Sequence, residues 1–171
     1  PKAYKINVPD SLGLTLPALA LPSGTSSDGK VVYGTIYVLG PFGFVPVSGF
    51  KWTREGGTVL FNDVPGYKDY VTLANDASDD GSVIIGIVDN ISAEQFVPWV
   101  WQEGKGYKII TLPAGAYKPK LHGITADGKI VFGSYVKDID VGEVRLFFWS
   151  EEKGAVDFDP YGHRFINGVC M

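Results

Sequence analysis

The chain has 171 residues, 45% of them hydrophobic and 13% aromatic, which is enough apolar material for one ordinary core. Fifteen basic against nineteen acidic residues leave a net charge of −4, and Lys and Arg never gather beyond a pair, which excludes the basic footprint of a nucleic-acid binder. The longest apolar stretch near the start, Leu12 to Pro22, is too short for a membrane span and is interrupted by Pro17, so no membrane insertion is expected.

Twenty-two glycines and eleven prolines, spread along the chain, fit many short strands joined by turns. The arrangement of those strands is set by a repeat. Ser26-Ser-Asp-Gly-Lys-Val-Val-Tyr-Gly34, Ser78-Asp-Asp-Gly-Ser-Val-Ile-Ile-Gly86 and Thr125-Ala-Asp-Gly-Lys-Ile-Val-Phe-Gly133 are near copies. Each is an Asp-Gly turn leading into an apolar run of strand formers and then a glycine. The turn glycine recurs after 52 and then 47 residues, the period of a propeller blade. A second marker keeps the same period: the pairs Phe50/Trp52, Trp99/Trp101 and Phe147/Trp149 place two rings on one face of a strand.

In chain order, Ala3 to Pro9 resemble Gly106 to Pro113, and residues 3–9 read as the last strand of a preceding, incomplete unit. Three units follow, 18–61, 71–112 and 121–158, each predicted to hold four strands. The first strand precedes the Asp-Gly turn (18–27, 71–78, 121–126), and the second follows it (30–37, 82–88, 129–136). The third carries the aromatic pair (48–53, 97–102, 145–150), and a glycine turn leads to the fourth (58–61, 107–112, 155–158). Ile166 to Met171 align with Leu121 to Ala126, and residues 165–171 read as the first strand of a further unit. The expected fold is all-β: a β-propeller-like array of four-stranded antiparallel blades, three complete and flanked by two orphan strands. A β-sandwich built from the same hairpins is the alternative. Propellers need four to eight blades, so the rest of a longer parent chain, or other protein chains, should complete the ring.

The pattern Gly49-Phe-Lys-Trp-Thr53, Gly56-Gly57, Val64-Pro-Gly66 and Ala74-Asn-Asp-Ala-Ser-Asp-Asp-Gly81 resembles the bacterial extracellular HAF-type repeat over nearly the whole chain. Asp127-Gly-Lys-Ile-Val-Phe-Gly-Ser134 is also similar to other propeller motifs, the WD type among them. The resemblance implies a propeller-like domain of a bacterial secreted or cell-surface protein, of the kind found in autotransporters. It supplies no catalytic residues.

Function is less legible than fold. There is no Gly-x-Ser-x-Gly, His-Glu-x-x-His, Cys-x-x-Cys, P-loop or Gly-x-Gly-x-x-Gly in the sequence. No cofactor or metal is expected. The ring pairs read as core, although flat rings also suit the apolar face of a sugar. Asp28, Asp80 and Asp127 read as turn formers. Asp138, Asp140 and Glu143 present acids in a loop that a calcium ion would use, but they lack the remainder of an EF-hand and read as a solvated loop. The lone Cys170 reads as a buried thiol. One aligned position stands out: six residues before the turn glycines are Ser23, Asn75 and His122, and Asn167 holds the same place in the last strand. In a propeller this strand lines the axis, so Asn75, Asp76, His122 and Asn167 form a candidate ligand ring for sugar hydroxyls or a partner peptide. The alternative is that they satisfy backbone groups. The two functions left open are a non-enzymatic binding or structural module and a propeller enzyme acting on glycans.

Overall fold

The computed structural model describes residues 5–68, 70–90, 95–138, 140 and 142–158, together with the backbone of 165–166 and 169–170. Its construction begins with the three Asp-Gly turns, which are built alike. In the first, the Ser26 hydroxyl accepts from Val31 N–H at 3.0 Å and donates to Asp28 Oδ1 at 2.8 Å. The same carboxylate oxygen takes Lys30 N–H at 3.0 Å. Ser78 and Asp80, then Thr125 and Asp127, repeat the arrangement. The turn glycines sit at φ of 69°, 68° and 71°, a region that side chains with a Cβ avoid. These bonds stabilise the charged carboxylates. Asp28 is held at about 2, first by the Lys30 side chain. Asp80 is lowered mainly by the Ser82 N–H, and Asp127 mainly by the Thr125 hydroxyl. Turn geometry thus accounts for all three aspartates.

From each turn grows an antiparallel sheet. The first blade contains β1 (Ala18–Thr25), β2 (Val31–Gly40), β3 (Gly43–Thr53) and β4 (Gly57–Leu60). The second contains β5 (Val71–Ala77), β6 (Val83–Asn90), β7 (Gln95–Gln102) and β8 (Gly106–Ile109). The third contains β9 (Tyr117–Ile124), β10 (Val131–Asp138), β11 (Glu143–Ser150) and β12 (Gly154–Phe158). In each, the strands lie side by side in chain order. Several strands run longer than the side-chain pattern predicts, most of all β2, β3 and β9. The strand pair β2–β3 extends to a hairpin closed by Gly40↔Gly43, and β9 starts at Tyr117, opposite Val136. Pairing with a neighbour set those limits, and pairing is invisible to periodicity.

The three sheets stack in a row. Strands β1 and β5, and then β5 and β9, come into contact, while the outer strands β4, β8 and β12 do not approach one another comparably. This fan overturns the sandwich alternative. Between blades one and two, Tyr33, Phe61 and Val64 meet Ala74, Ile84, Val88, Val97 and Trp99. Between two and three, Val83, Ile85, Ile87, Val100 and Ile110 meet Leu121, Val131, Tyr135, Phe147 and Trp149. The leading aromatics Phe50, Trp99 and Phe147 are fully buried, as expected of core. Backbone bonds tie the turns together as well: Ser27 N–H donates to Asp79 C=O at 2.8 Å, and Asp79 N–H to Ala126 C=O at 3.0 Å.

Both ends depart from the predicted orphan strands. Residues 5–9 form no strand and lead into a 3-10 turn at Asp10–Leu12. The segment instead lies against the first blade, where Thr58 Oγ1 donates to Asn7 C=O at 2.8 Å. A fourth strand needs its own third strand as a ladder partner, and among the described residues none precedes it. At the other end β13 (Phe165–Ile166) and β14 (Val169–Cys170) form a small hairpin, and β13 pairs with Glu143 and Val144 of β11. Those two positions lie beyond the reach of β12, whose pairing stops at Leu146, so the free edge of β11 captures β13. The Cys170 side chain lies outside the described residues.

Candidate functional site

The aligned polar position proves to be a backbone feature. In β1, Pro22 pairs with Gly34 and Gly24 with Tyr33, so Ser23 is left without a partner. In β5, Ala74 pairs with Gly86 and Asp76 with Ile85, which leaves Asn75. In β9, Leu121 pairs with Gly133 and Gly123 with Phe132, which leaves His122. Each first strand therefore carries a β-bulge at the same place, and the extra residue is polar each time. The bulge also explains the glycine that ends each repeat motif. A Cβ on Gly34, Gly86 or Gly133 would lie 2.1, 2.1 and 2.4 Å from the carbonyl oxygens of Leu21, Leu73 and Lys120. Only glycine lets the bulged strand come that close.

Ser23, Asn75 and His122 are all exposed. Ser23 Oγ donates to Ala74 C=O at 3.0 Å, which brings the first bulge beside the second. His122 Nε2 lies 2.8 Å from Ser134 Oγ on its own β10. Asp76 differs from its companions because the fold occupies both its oxygens. Oδ1 accepts from Tyr33 of the first blade at 2.9 Å, and Oδ2 from Ile124 N–H of the third at 3.1 Å. It joins all three blades. Burial first, and then the Asp76 carboxylate, push the Tyr33 hydroxyl up to about 12. Asn167 lies outside the described residues.

The same rows of side chains hold other pairs that the sequence did not reveal. Tyr107 donates to Asp63 at 2.8 Å, and Tyr135 to Asp157 at 2.7 Å. Lys51, buried between blades, meets Glu103 at 2.9 Å and lies 5.2 Å from the Trp101 ring centre. Repeat alignment hides the Tyr33–Asp76 bond, because the counterparts of Tyr33 are Ile85 and Phe132, and those of Asp76 are Gly24 and Gly123. In the acidic loop, Asp138 caps its own turn by accepting Asp140 N–H at 2.9 Å, and Glu143 Oε1 takes the Arg145 guanidinium at 2.6 Å. Among the described residues, no group of three or more His, Cys, Asp and Glu side chains is placed to hold a metal ion. No helix among them is long and apolar enough to cross a membrane.

No protein-family model matches the chain, and no curated protein matches it. The positions before each tryptophan read Ser48-Gly49-Phe50, Val97-Pro98-Trp99 and Arg145-Leu146-Phe147, without the His-Ala-Phe that names the HAF repeat. Among solved structures, the chain is similar to the β-propeller domain of the Trilobed protease from Pyrococcus furiosus, described as having an open velcro topology. The two share 12% identity over 86% of this chain and 45% of that one, with a TM-score of 0.54. The fold is that of a β-propeller. A second similar structure is TolB from Acinetobacter baumannii, at 16% identity over 80% of this chain and 31% of that one, with a TM-score of 0.49. The chain thus spans less than half the length of either structure.

Proposed function

We propose that this chain is a non-enzymatic binding module of a bacterial secreted or cell-surface protein, of the HAF-type repeat class, and that it holds a glycan or a partner protein at the bulged first strands. The observation that carries this reading is the coincidence of a bulge, a polar side chain and solvent exposure at Ser23, Asn75 and His122. A bulge re-aims a side chain out of the ladder, and core packing alone asks for no polar residue there. Hydroxyl, amide and imidazole groups supply donors and acceptors suited to sugar hydroxyls or peptide groups. Asp76 ties β5, which carries Asn75, to β2 of the first blade and β9 of the third.

The test is a glycan array followed by titration of the best hit. Replacing Asn75 and His122 together by Ala should weaken that binding at least tenfold and leave the melting temperature within about 2 °C, as expected for exposed positions. Unchanged affinity in the double variant would sink the proposal.

A further inference from the structure

Each blade has one face turned toward the blade that follows it, and the same repeat positions recur on all three such faces. Directly after the turn come Val31, Val83 and Ile130, and two residues later Tyr33, Ile85 and Phe132. On the third strand the position between the paired aromatics is Lys51, Val100 and Phe148, and beyond it stand Phe61 and Ile110, each directly after its fourth strand, and Phe158 at the end of β12. In blades one and two every one of these is buried. In blade three every one is open: Ile130 at 42%, Phe132 at 38%, Phe148 at 39% and Phe158 at 44%. The Phe148 and Phe158 rings stack edge to face at 4.7 Å. Four large apolar side chains left open at positions that are buried in both other blades are not a feature of ordinary solvated surface.

What covers this face in the other two blades is also visible. The turn glycine of the next blade lies on the first residue of the row, so a Cβ on Gly81 would meet Val31 at 2.7 Å and one on Gly128 would meet Val83 at 2.7 Å. The residue between the Ser/Thr and the Asp receives the backbone bond, in the series Ser27 to Asp79 to Ala126. The next members of both series would act on Ile130 and on Ala126 N–H, which has no hydrogen-bond partner among the described residues. A second copy of these residues docking head to tail is disfavoured. The opposite face of blade one already has Ile36 and Phe50 fully buried, with Asn7 bonded to Thr58 beside them.

We propose that the open face of blade three is the seat of a fourth blade, carried further along the same polypeptide and opening with its own Ser/Thr-x-Asp-Gly turn. That turn lays its glycine over Ile130 and offers the carbonyl of its x residue to Ala126 N–H. The share of the similar propeller domain that this chain spans, 45%, is in keeping with further blades.

The test uses the full-length protein as its source cell makes it. Hydroxyl-radical footprinting compares Phe132 and Phe148 with two internal references, the fully exposed Phe42 and the buried Phe147. A photo-reactive phenylalanine analogue at position 130 then identifies the covering peptide. We expect modification of Phe132 and Phe148 at the slow rate of Phe147, at least tenfold below Phe42. We also expect a cross-link to a Ser/Thr-x-Asp-Gly peptide of the same polypeptide outside residues 1–171. Modification at the rate of Phe42 overturns the proposal. So does a cross-link to a second copy of these residues, a cross-link to a peptide lacking that turn, or an intact mass of 18.5 kDa, since no further blade would then exist.

Discussion

The two junctions between blades are built on one plan and filled in two ways. Both use the turn-to-turn backbone bond and the turn glycine resting on a valine. Between blades one and two the space is filled by rings: Phe61 lies 5.1 Å from Trp99, 5.4 Å from Trp101 and 6.3 Å from Tyr107. It is also crossed by polar pairs, Tyr33 with Asp76 and Lys51 with Glu103. Between blades two and three the buried side chains of the second blade are aliphatic, Val83, Ile85, Ile87, Val100 and Ile110, with the half-buried Phe96 packed against them. The lesson is that the backbone frame fixes the separation of the sheets, and the side chains need only fill the space it leaves. Packing density is then the constraint, and residue type is free within it.

The harshest way to break the comparison acts on the frame itself. Gly86→Ala would place a Cβ 2.1 Å from Leu73 C=O and 2.2 Å from the Trp99 ring, so neither the bulge nor the aromatic filling survives. We expect a loss of at least about 4 kcal/mol, read as absence of a cooperative thermal transition. Gly133→Ala, against Lys120 C=O and Phe147, should fail in the same way if the frame is common to both junctions.

Truncating the filling should be less damaging and should differ between the junctions. Trp99→Ala removes a fully buried indole and should cost about 3–5 kcal/mol, and Ile85→Ala about 2–5 kcal/mol, both measured by urea denaturation. Ile85→Val should be mild, at about 1 kcal/mol. If Trp99→Ala proved cheaper than Ile85→Val, the aromatic junction would not be close-packed.

The smallest effect sharpens the polar difference. Tyr33→Phe leaves Asp76 Oδ1 without its donor and should cost about 1–2 kcal/mol, whereas no such bond exists at Ile85. This contribution also depends on pH. The folded protein holds the Tyr33 proton up to about 12, above the ordinary value of 10.0. The bond therefore stabilises fully below pH 10 and is lost as pH rises through 12. Tyr33→Phe should flatten that alkaline limb of the melting temperature. The remaining slope would come in part from Tyr135, pushed up to about 12 by burial and by Asp157 of its own blade.

These elements also separate what the sequence reveals from what it conceals. The turns were legible because Ser/Thr-x-Asp-Gly is a local chemical unit whose hydrogen bonds close within six residues. The leading aromatics Phe50, Trp99 and Phe147 were legible as core because their spacing repeats. The polar residues at 23, 75 and 122 were visible as a set, but their cause was not, since a bulge exists only relative to the strand opposite. Asp76 looked like a member of that set and is instead a clamp between blades, because its partners Tyr33 and Ile124 lie 43 and 48 residues away. The fates of residues 5–9, 165–166 and 169–170 were hidden for the same reason. Resemblance to a neighbouring strand gives a segment its propensity, and only an available edge gives it a place.

The turn-to-turn bond has a consequence for how such a protein can change its length. Its donor and acceptor are backbone groups, and the residues that supply them are Ser27, Asp79 and Ala126, which share no side-chain chemistry. A duplicated unit would therefore bring its own fastening to both neighbours without any matching substitution in them. Copies could then drift apart in composition, aromatic in one place and aliphatic in the next, while the register between them stayed inherited.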